Sequence, residues 1–254
     1  MILNIVENGK MLSCTWEELS HDQYLRSNLF TGLARTMLSL SRESLPRIRS
    51  LTIDGDGVVS LTNRPLGCPL QRMENDGASS EIPRDLTYST ADTYYSDILS
   101  CHSQRIRYVP NSINDTDDGQ LQLGILALMR SVSAHFTDCN LRGGPFVLML
   151  IDTHQSNIFV DIDWNITAII DLEWACVRPL EMLQPPSWLS GKDVDELTSE
   201  RLATYDTLRQ EFMRAFEREE MSYMHDFQRK ICSVGYVLML VSRSQQGWGH
   251  GKSI

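Results

Sequence analysis

An α+β chain, mainly helical with a β-hairpin set into its middle, is what this sequence of 254 residues predicts. Three observations carry that expectation. Apolar residues recur at helical spacing in several long stretches, as in Leu25, Leu29, Leu33 and Met37. A continuous apolar run, Phe146 to Ile151, follows the breaker Gly143-Gly144-Pro145 and has the character of a buried strand. Two short β segments, Ile158–Val160 and Thr167–Ile170, flank the turn residues Asp163-Trp164-Asn165.

The elements follow in order. Ile2-Leu3-Asn4-Ile5-Val6 reads as a short strand closed by Asn8-Gly9. Ser20 and Gln23 form an S-x-x-Q capping box ahead of the helix whose stripe Phe30 and Leu38 widen. After Pro46, Ile48–Ile53 and Val58–Leu61 form a hairpin about Asp54-Gly55-Asp56-Gly57. Thr62 to Thr87, with three prolines and two glycines, is expected to be loop. Thr90–Arg107 is a helix with Tyr95, Ile98, Leu99 and His102 on one face. Gln120–Phe136 is another, aligning Leu121, Ile125, Leu128, Val132 and Phe136. The last third is helical again. Tyr205, Leu208, Phe212 and Phe216 lie beneath a charged face from Asp193 to Glu220, and a further helix, Tyr223–Val241, precedes a Gly-rich tail.

Composition narrows the class. Hydrophobic content of 42% with 22% charged residues is that of a soluble globular protein. A net charge of −10, from 23 basic and 33 acidic residues, argues against nucleic acid as a main partner. Six scattered cysteines without a C-x-x-C pair fit reduced thiols rather than disulfides or zinc. Met1–Ser20 lacks an apolar signal core, and Val234–Val241 is too short to span a bilayer. The expectation is a cytoplasmic protein with no membrane partner.

The chemistry concentrates between Leu148 and Trp174. Asp152 follows the buried strand, Asn157 lies five residues on, and Asp171 leaves the second strand of the central hairpin. Phosphoryl transfer needs a carboxylate to accept the acceptor hydroxyl's proton, and oxygen ligands for a metal that bridges the phosphates. The D-x-x-x-x-N loop and the hairpin ending in Asp supply both, and hard oxygen ligands suit magnesium. Asp161-x-Asp163-x-Asn165 starts like a calcium loop, but Ile166 and Leu172 stand where such a loop needs Gly and Glu, so it is a turn. His154, beside the loop carboxylate, is expected to brace the loop by a hydrogen bond. Trp174, Trp188 and Tyr205 read as core aromatic residues, with lining of an acceptor pocket as the alternative that the family resemblance given below implies.

Leu150-Ile151-Asp152 through Asn157-Ile158-Phe159-Val160, followed by Ile170-Asp171-Leu172-Glu173, resembles the catalytic loop and metal motif of the aminoglycoside/choline phosphotransferase family. That family has a protein-kinase-like fold. Ser60-Leu61-Thr62-Asn63-Arg64-Pro65, Glu173-Trp174-Ala175 and Glu181-Met182-Leu183-Gln184-Pro185-Pro186 extend the likeness to its fungal members, over about Ile2 to Phe216. The resemblance implies a kinase-like large lobe at 13–254, with the catalytic loop at 150–157 and the metal motif at 170–173. Residues 1–12 would be the hinge strand and linker, with most of the small lobe absent. It implies ATP- and magnesium-dependent phosphorylation of a small-molecule hydroxyl. Asp152 would be the base, Asn157 and Asp171 the cofactor and metal ligands, and Glu173 a further metal contact.

Two features depart from the family pattern. Leu150 stands where its H-x-D histidine would be, and the sequence holds no G-x-G-x-x-G and no lysine inside a predicted strand. The alternative expectation is therefore an inactive, pseudokinase-like binding or scaffold protein, or the product of a longer kinase gene.

Overall fold

The computed structural model describes residues 9–191 and 199–223. Its elements run β1 (Lys10–Met11), α1 (Ser13–Leu19), α2 (Gln23–Ser41), β2 (Arg49–Ile53), β3 (Val59–Asn63), α3 (Cys68–Asn75) and α4 (Ala91–Tyr108). They continue with α5 (Thr116–Phe136), β4 (Phe146–Leu150), β5 (Ile158–Val160), β6 (Ile166–Ile169), β7 (Ala175–Pro179) and α6 (Ser199–Tyr223). The mixture of helices with two antiparallel sheets agrees with the α+β expectation. The expected strand at Ile2–Val6, the helix beyond Tyr223 and the Gly-rich tail lie outside the described residues. No helix among the described residues is long and apolar enough to cross a membrane. The chain divides into two compact units.

One unit holds residues 9–42, Asp152–Glu173, 185–191 and 199–223. Its sheet has the order β1-β5-β6, with Lys10 opposite Val160 and Ile158 opposite Ile169. Helix α2 buries Leu25, Leu29, Phe30, Leu33 and Leu38 of the stripe that the spacing predicts and leaves Met37 half-buried. It packs against α6 through the edge-on pair Phe30–Phe212 at 5.7 Å, flanked by ion pairs Arg26–Glu211 (3.1 Å) and Arg35–Glu219 (2.7 Å). The cap of α2 differs from expectation. Asp22, one residue before the helix, accepts from the amides of Tyr24 (2.8 Å) and Leu25 (3.3 Å), while Ser20 closes the preceding helix α1. Three buried indoles fasten the rest: Trp16 stacks on Trp164 at 5.5 Å and meets Trp188 edge-on at 5.5 Å.

The other unit holds Glu43–Ile151 and Trp174–Gln184 among its described residues. Its sheet has the order β3-β2-β7-β4. The β2–β3 turn forms as its residues dictate, Asp54 Oδ1 accepting from the amides of Asp56 and Val58. Ile48, Leu70, Met73, Tyr88, Tyr94, Phe146 and Val177 form its core. The stretch expected to be loop contains α3. Its order comes from Arg64, a buried cation that gathers Glu74, Ser80 and the Ile82 carbonyl around itself.

Helix α5 starts earlier than expected, capped by Asp115, whose side chain accepts from the Asp118 amide at 2.8 Å. It also turns a different face inward. Gln122, Leu126 and Met129 are buried, whereas Leu121 and Leu128 point outward and Ile125 and Val132 are half-buried. Gln122 fixes that rotation. Its amide nitrogen donates to the Ser112 carbonyl (3.0 Å) and to Asp118 (2.9 Å), and its oxygen accepts from Arg105 of α4.

Candidate functional site

The loop that leaves β4 belongs to the unit built on β1, β5 and β6. Asp152 is exposed, and its carboxylate has no hydrogen bond or ion pair among the described residues. His154 is extended, caps a 3-10 turn at Gln155–Asn157, and sets its Nδ1 3.1 Å from the Ser156 hydroxyl. It braces the loop as expected, through the Ser156 hydroxyl.

Asn157 ends that turn and is buried. Its Nδ2 donates to the Asp152 carbonyl at 3.1 Å, and the Ser156 hydroxyl lies 3.3 Å from its Oδ1. An amide so fixed by its nitrogen keeps its oxygen available to a further partner. The Asn157 backbone carbonyl accepts from the Ile170 amide at 2.9 Å, extending the β5–β6 ladder by one step. Asp171 is the next residue. The hairpin thus brings the backbone at 157 and 170 together and holds Asp171 beside them.

Asp171 has φ +57, a left-handed conformation that side chains other than those of Asn and Asp rarely adopt. Strain of this kind gathers at functional sites more often than elsewhere. The chain then enters a 3-10 turn, Leu172–Trp174, that contains Glu173. Asp171 and Glu173 are both exposed and, like Asp152, lack a partner among the described residues. No three His, Cys, Asp or Glu side chains among the described residues cluster as a metal site. The Asn157 amide oxygen and the Asp171 carboxylate are hard oxygen donors of the kind that magnesium takes. The turn beyond β5 is committed elsewhere. Asp161 accepts from the Asn165 side chain and from the Asn165 and Asp163 amides, which holds its carboxyl below the usual range.

Other singled-out residues prove structural. Leu150 is a half-buried β4 residue opposite Ala175. Glu181 is buried, accepting from the Tyr95 hydroxyl (3.3 Å) and the Asp138 amide (2.6 Å), and burial raises its carboxyl above the usual range. Trp188 and Tyr205 are buried, and the Tyr205 hydroxyl donates to the Pro186 carbonyl, so they are core rather than pocket lining. Three features of the loop escape sequence reasoning: the Ser156 contact, the left-handed Asp171, and Gln155, buried with its Nε2 unpartnered. Only the second has a signal, the preference of Asp for that conformation.

No family model matches the chain, and no solved structure does. The chain is similar to a fungal protein, "Clavilactone A biosynthesis cluster protein Y" of Ampulloclitocybe clavipes. The two are 28% identical over 167 residues, covering 63% of this chain and 37% of that protein. The matched stretch thus spans well under half the length of that relative.

Proposed function

We propose that this chain is a small-molecule phosphotransferase that uses ATP and magnesium. Asp152 is the proton acceptor for the attacking hydroxyl, and Asn157 and Asp171 are the metal ligands, with Glu173 as an outer contact. The observation that carries this reading is the hydrogen bond from the Ile170 amide to the Asn157 carbonyl. It brings the backbone of Asn157 and Ile170 together at the end of one hairpin, and an amide oxygen and a carboxylate from that end are hard donors of the kind magnesium takes. The Asp152 carbonyl is tied to the same asparagine. Bound magnesium would supply charge stabilisation at the phosphates. The protein's part is to orient the hydroxyl and accept its proton at the Asp152 carboxylate, which nothing else in the described chain occupies. A relative named for a biosynthesis cluster is in keeping with a small-molecule acceptor.

The test is transfer of label from γ-labelled ATP to a panel of hydroxyl-bearing small molecules. It is run at millimolar nucleotide because the sequence has no Gly-rich motif to hold the phosphates. Asp152→Asn is expected to lower transfer by about 100-fold or more while leaving manganese binding intact. Asp171→Asn should weaken the metal. Transfer that is indifferent to Asp152→Asn would overturn the assignment. One observation favours a binding-only protein, namely Leu150 at the position of the family's bracing histidine. Saturable ligand binding with no transfer at any nucleotide concentration would select that reading.

A further inference from the structure

The Ser156 hydroxyl carries one hydrogen and faces two acceptors. Asn157 Oδ1 lies 3.3 Å away and His154 Nδ1 lies 3.1 Å away. The same His154 Nδ1 accepts from the Ser156 amide at 3.4 Å, so it faces Ser156 as an acceptor. The turn fixes the spacing of these residues, because the Asn157 amide donates to the His154 carbonyl at 2.9 Å. Ser156 is half-buried, and Asn157 is buried with its Nδ2 spent on the Asp152 carbonyl. Rotation of one hydroxyl therefore decides whether the Asn157 oxygen is capped by a hydrogen or left bare. The reaction proposed above gives neither Ser156 nor His154 a part.

Resting on the reading of Asn157 as a metal ligand, we infer that Ser156 and His154 are a positioning pair that governs metal binding. Without a cation the Ser156 hydroxyl donates to Asn157 Oδ1; with one bound it turns and donates to His154 Nδ1. The cause is electrostatic. A dication on Oδ1 repels a hydroxyl hydrogen aimed at the same oxygen, and hydroxyl dipoles orient in the field of a bound ion. A half-buried hydroxyl turned from one acceptor needs another, because a hydrogen bond left unmade costs free energy. His154 Nδ1 is the acceptor within reach. His154 thus supports metal affinity without touching the metal, and the Ser156 hydroxyl is what makes it necessary. The dependence is conditional: His154 matters to the metal only while residue 156 carries a hydroxyl.

The test is manganese binding to the full chain, read by electron paramagnetic resonance of the free ion. His154→Phe should weaken binding about fivefold, the worth of one net hydrogen bond. His154→Asn, whose amide oxygen can stand in for Nδ1, should keep wild-type affinity. Ser156→Ala should bind at least as tightly as the wild type, and adding His154→Phe to it should cost nothing further. With nitrogen-15-labelled histidine, magnesium should shift the His154 Nδ1 resonance in the wild type but not in Ser156→Ala. A His154→Phe loss that persists in the Ser156→Ala background would overturn the proposal, since the ring would then act by packing. So would a His154→Phe protein that binds manganese as the wild type does. Asp171→Asn separates this proposal from the reading beneath it. If it loses manganese while the wild type and the His154 and Ser156 variants all bind alike, only the positioning pair falls. If Asp171→Asn binds manganese as before, the metal assignment falls and takes the pair with it.

Discussion

The Arg64 guanidinium, almost wholly buried, spreads its donors over three acceptors: Glu74, the Ser80 hydroxyl and the Ile82 carbonyl. Ser80 closes the ring by donating to the other Glu74 oxygen at 2.6 Å. Burial by itself would raise the Glu74 carboxyl, but hydrogen bonds from Arg64 and Ser80 overcome it and hold the group below its usual range. A cation that serves this many acceptors cannot be removed without stranding them. Arg64→Met should destabilise the unit by about 3 kcal/mol, the usual cost of leaving half of a buried pair. Arg64→Lys should recover only part of this, because a point charge cannot reproduce the fork. Urea titration followed by exchange in α3 reads both. A loss below about 1 kcal/mol for Arg64→Met would mean that solvent already satisfies Glu74.

At the scale of elements, the three indoles decide how tightly α1, the β5–β6 turn and the 3-10 turn at Ser187–Ser190 hold together. Gly191 makes that packing possible. Its φ is +71, and a Cβ there would come within 2.5 Å of Trp16 Nε1. Gly191→Ala combines a left-handed conformation with that clash, and should cost about 2 kcal/mol. Trp16, Trp164 and Trp188 lie in this one unit, so with Trp174 and Trp248 replaced by Phe their emission reports the loss. An unchanged melt would show that the indoles shift without cost.

What the sequence made legible follows from what kind of signal each element leaves. Helix α2 and the two hairpins are readable because a single apolar stripe, an Asp-Gly turn or an Asp/Asn-rich turn specifies them locally. Helix α3 was not, since it is short, carries Pro69 near its start, and owes its order to Arg64. Helix α5 was found but misfaced, because both its sides are apolar and a buried polar residue, Gln122, chose between them. The candidate site divides in the same way. Residue types and spacing single out Asp152, Asn157 and Asp171, and the hairpin register then brings the backbone of Asn157 to Ile170, the residue before Asp171. The His154–Ser156–Asn157 chain depends on side-chain rotamers, and these leave no trace in spacing.

The molecule as a whole responds to pH through several groups whose signs agree. Asp92, Asp118, Asp161 and Asp206 are held below the usual carboxylate range, chiefly by hydrogen bonds from Arg142, Asn114, Asn165 and Arg209 respectively. Each contributes stability that is complete above about pH 4 and is lost as pH falls through its depressed folded value. His102 acts earlier. Burial, aided by the nearby Arg105 charge, pushes its imidazole down to about 4. Its unfolded counterpart takes up a proton near pH 6.5, so the unfolded state binds more protons between those values and stability falls with pH. At pH 5 that loss amounts to about 2 kcal/mol relative to neutral pH. Acidification also reduces the charge of −10, and this eases repulsion and works in the opposite direction. Salt separates the two, because it screens the exposed surface charges more strongly than a half-buried imidazole. Hydrogen exchange in α4, corrected for intrinsic rates, should therefore show protection that falls from pH 7 to pH 5 at high salt as well as low. His102→Leu should flatten that slope while leaving the steeper acid transition below pH 4 in place. If His102→Leu kept the full slope, another group would have to be binding the proton; the four depressed aspartates titrate too low, and Glu181, raised by burial, acts with the opposite sign.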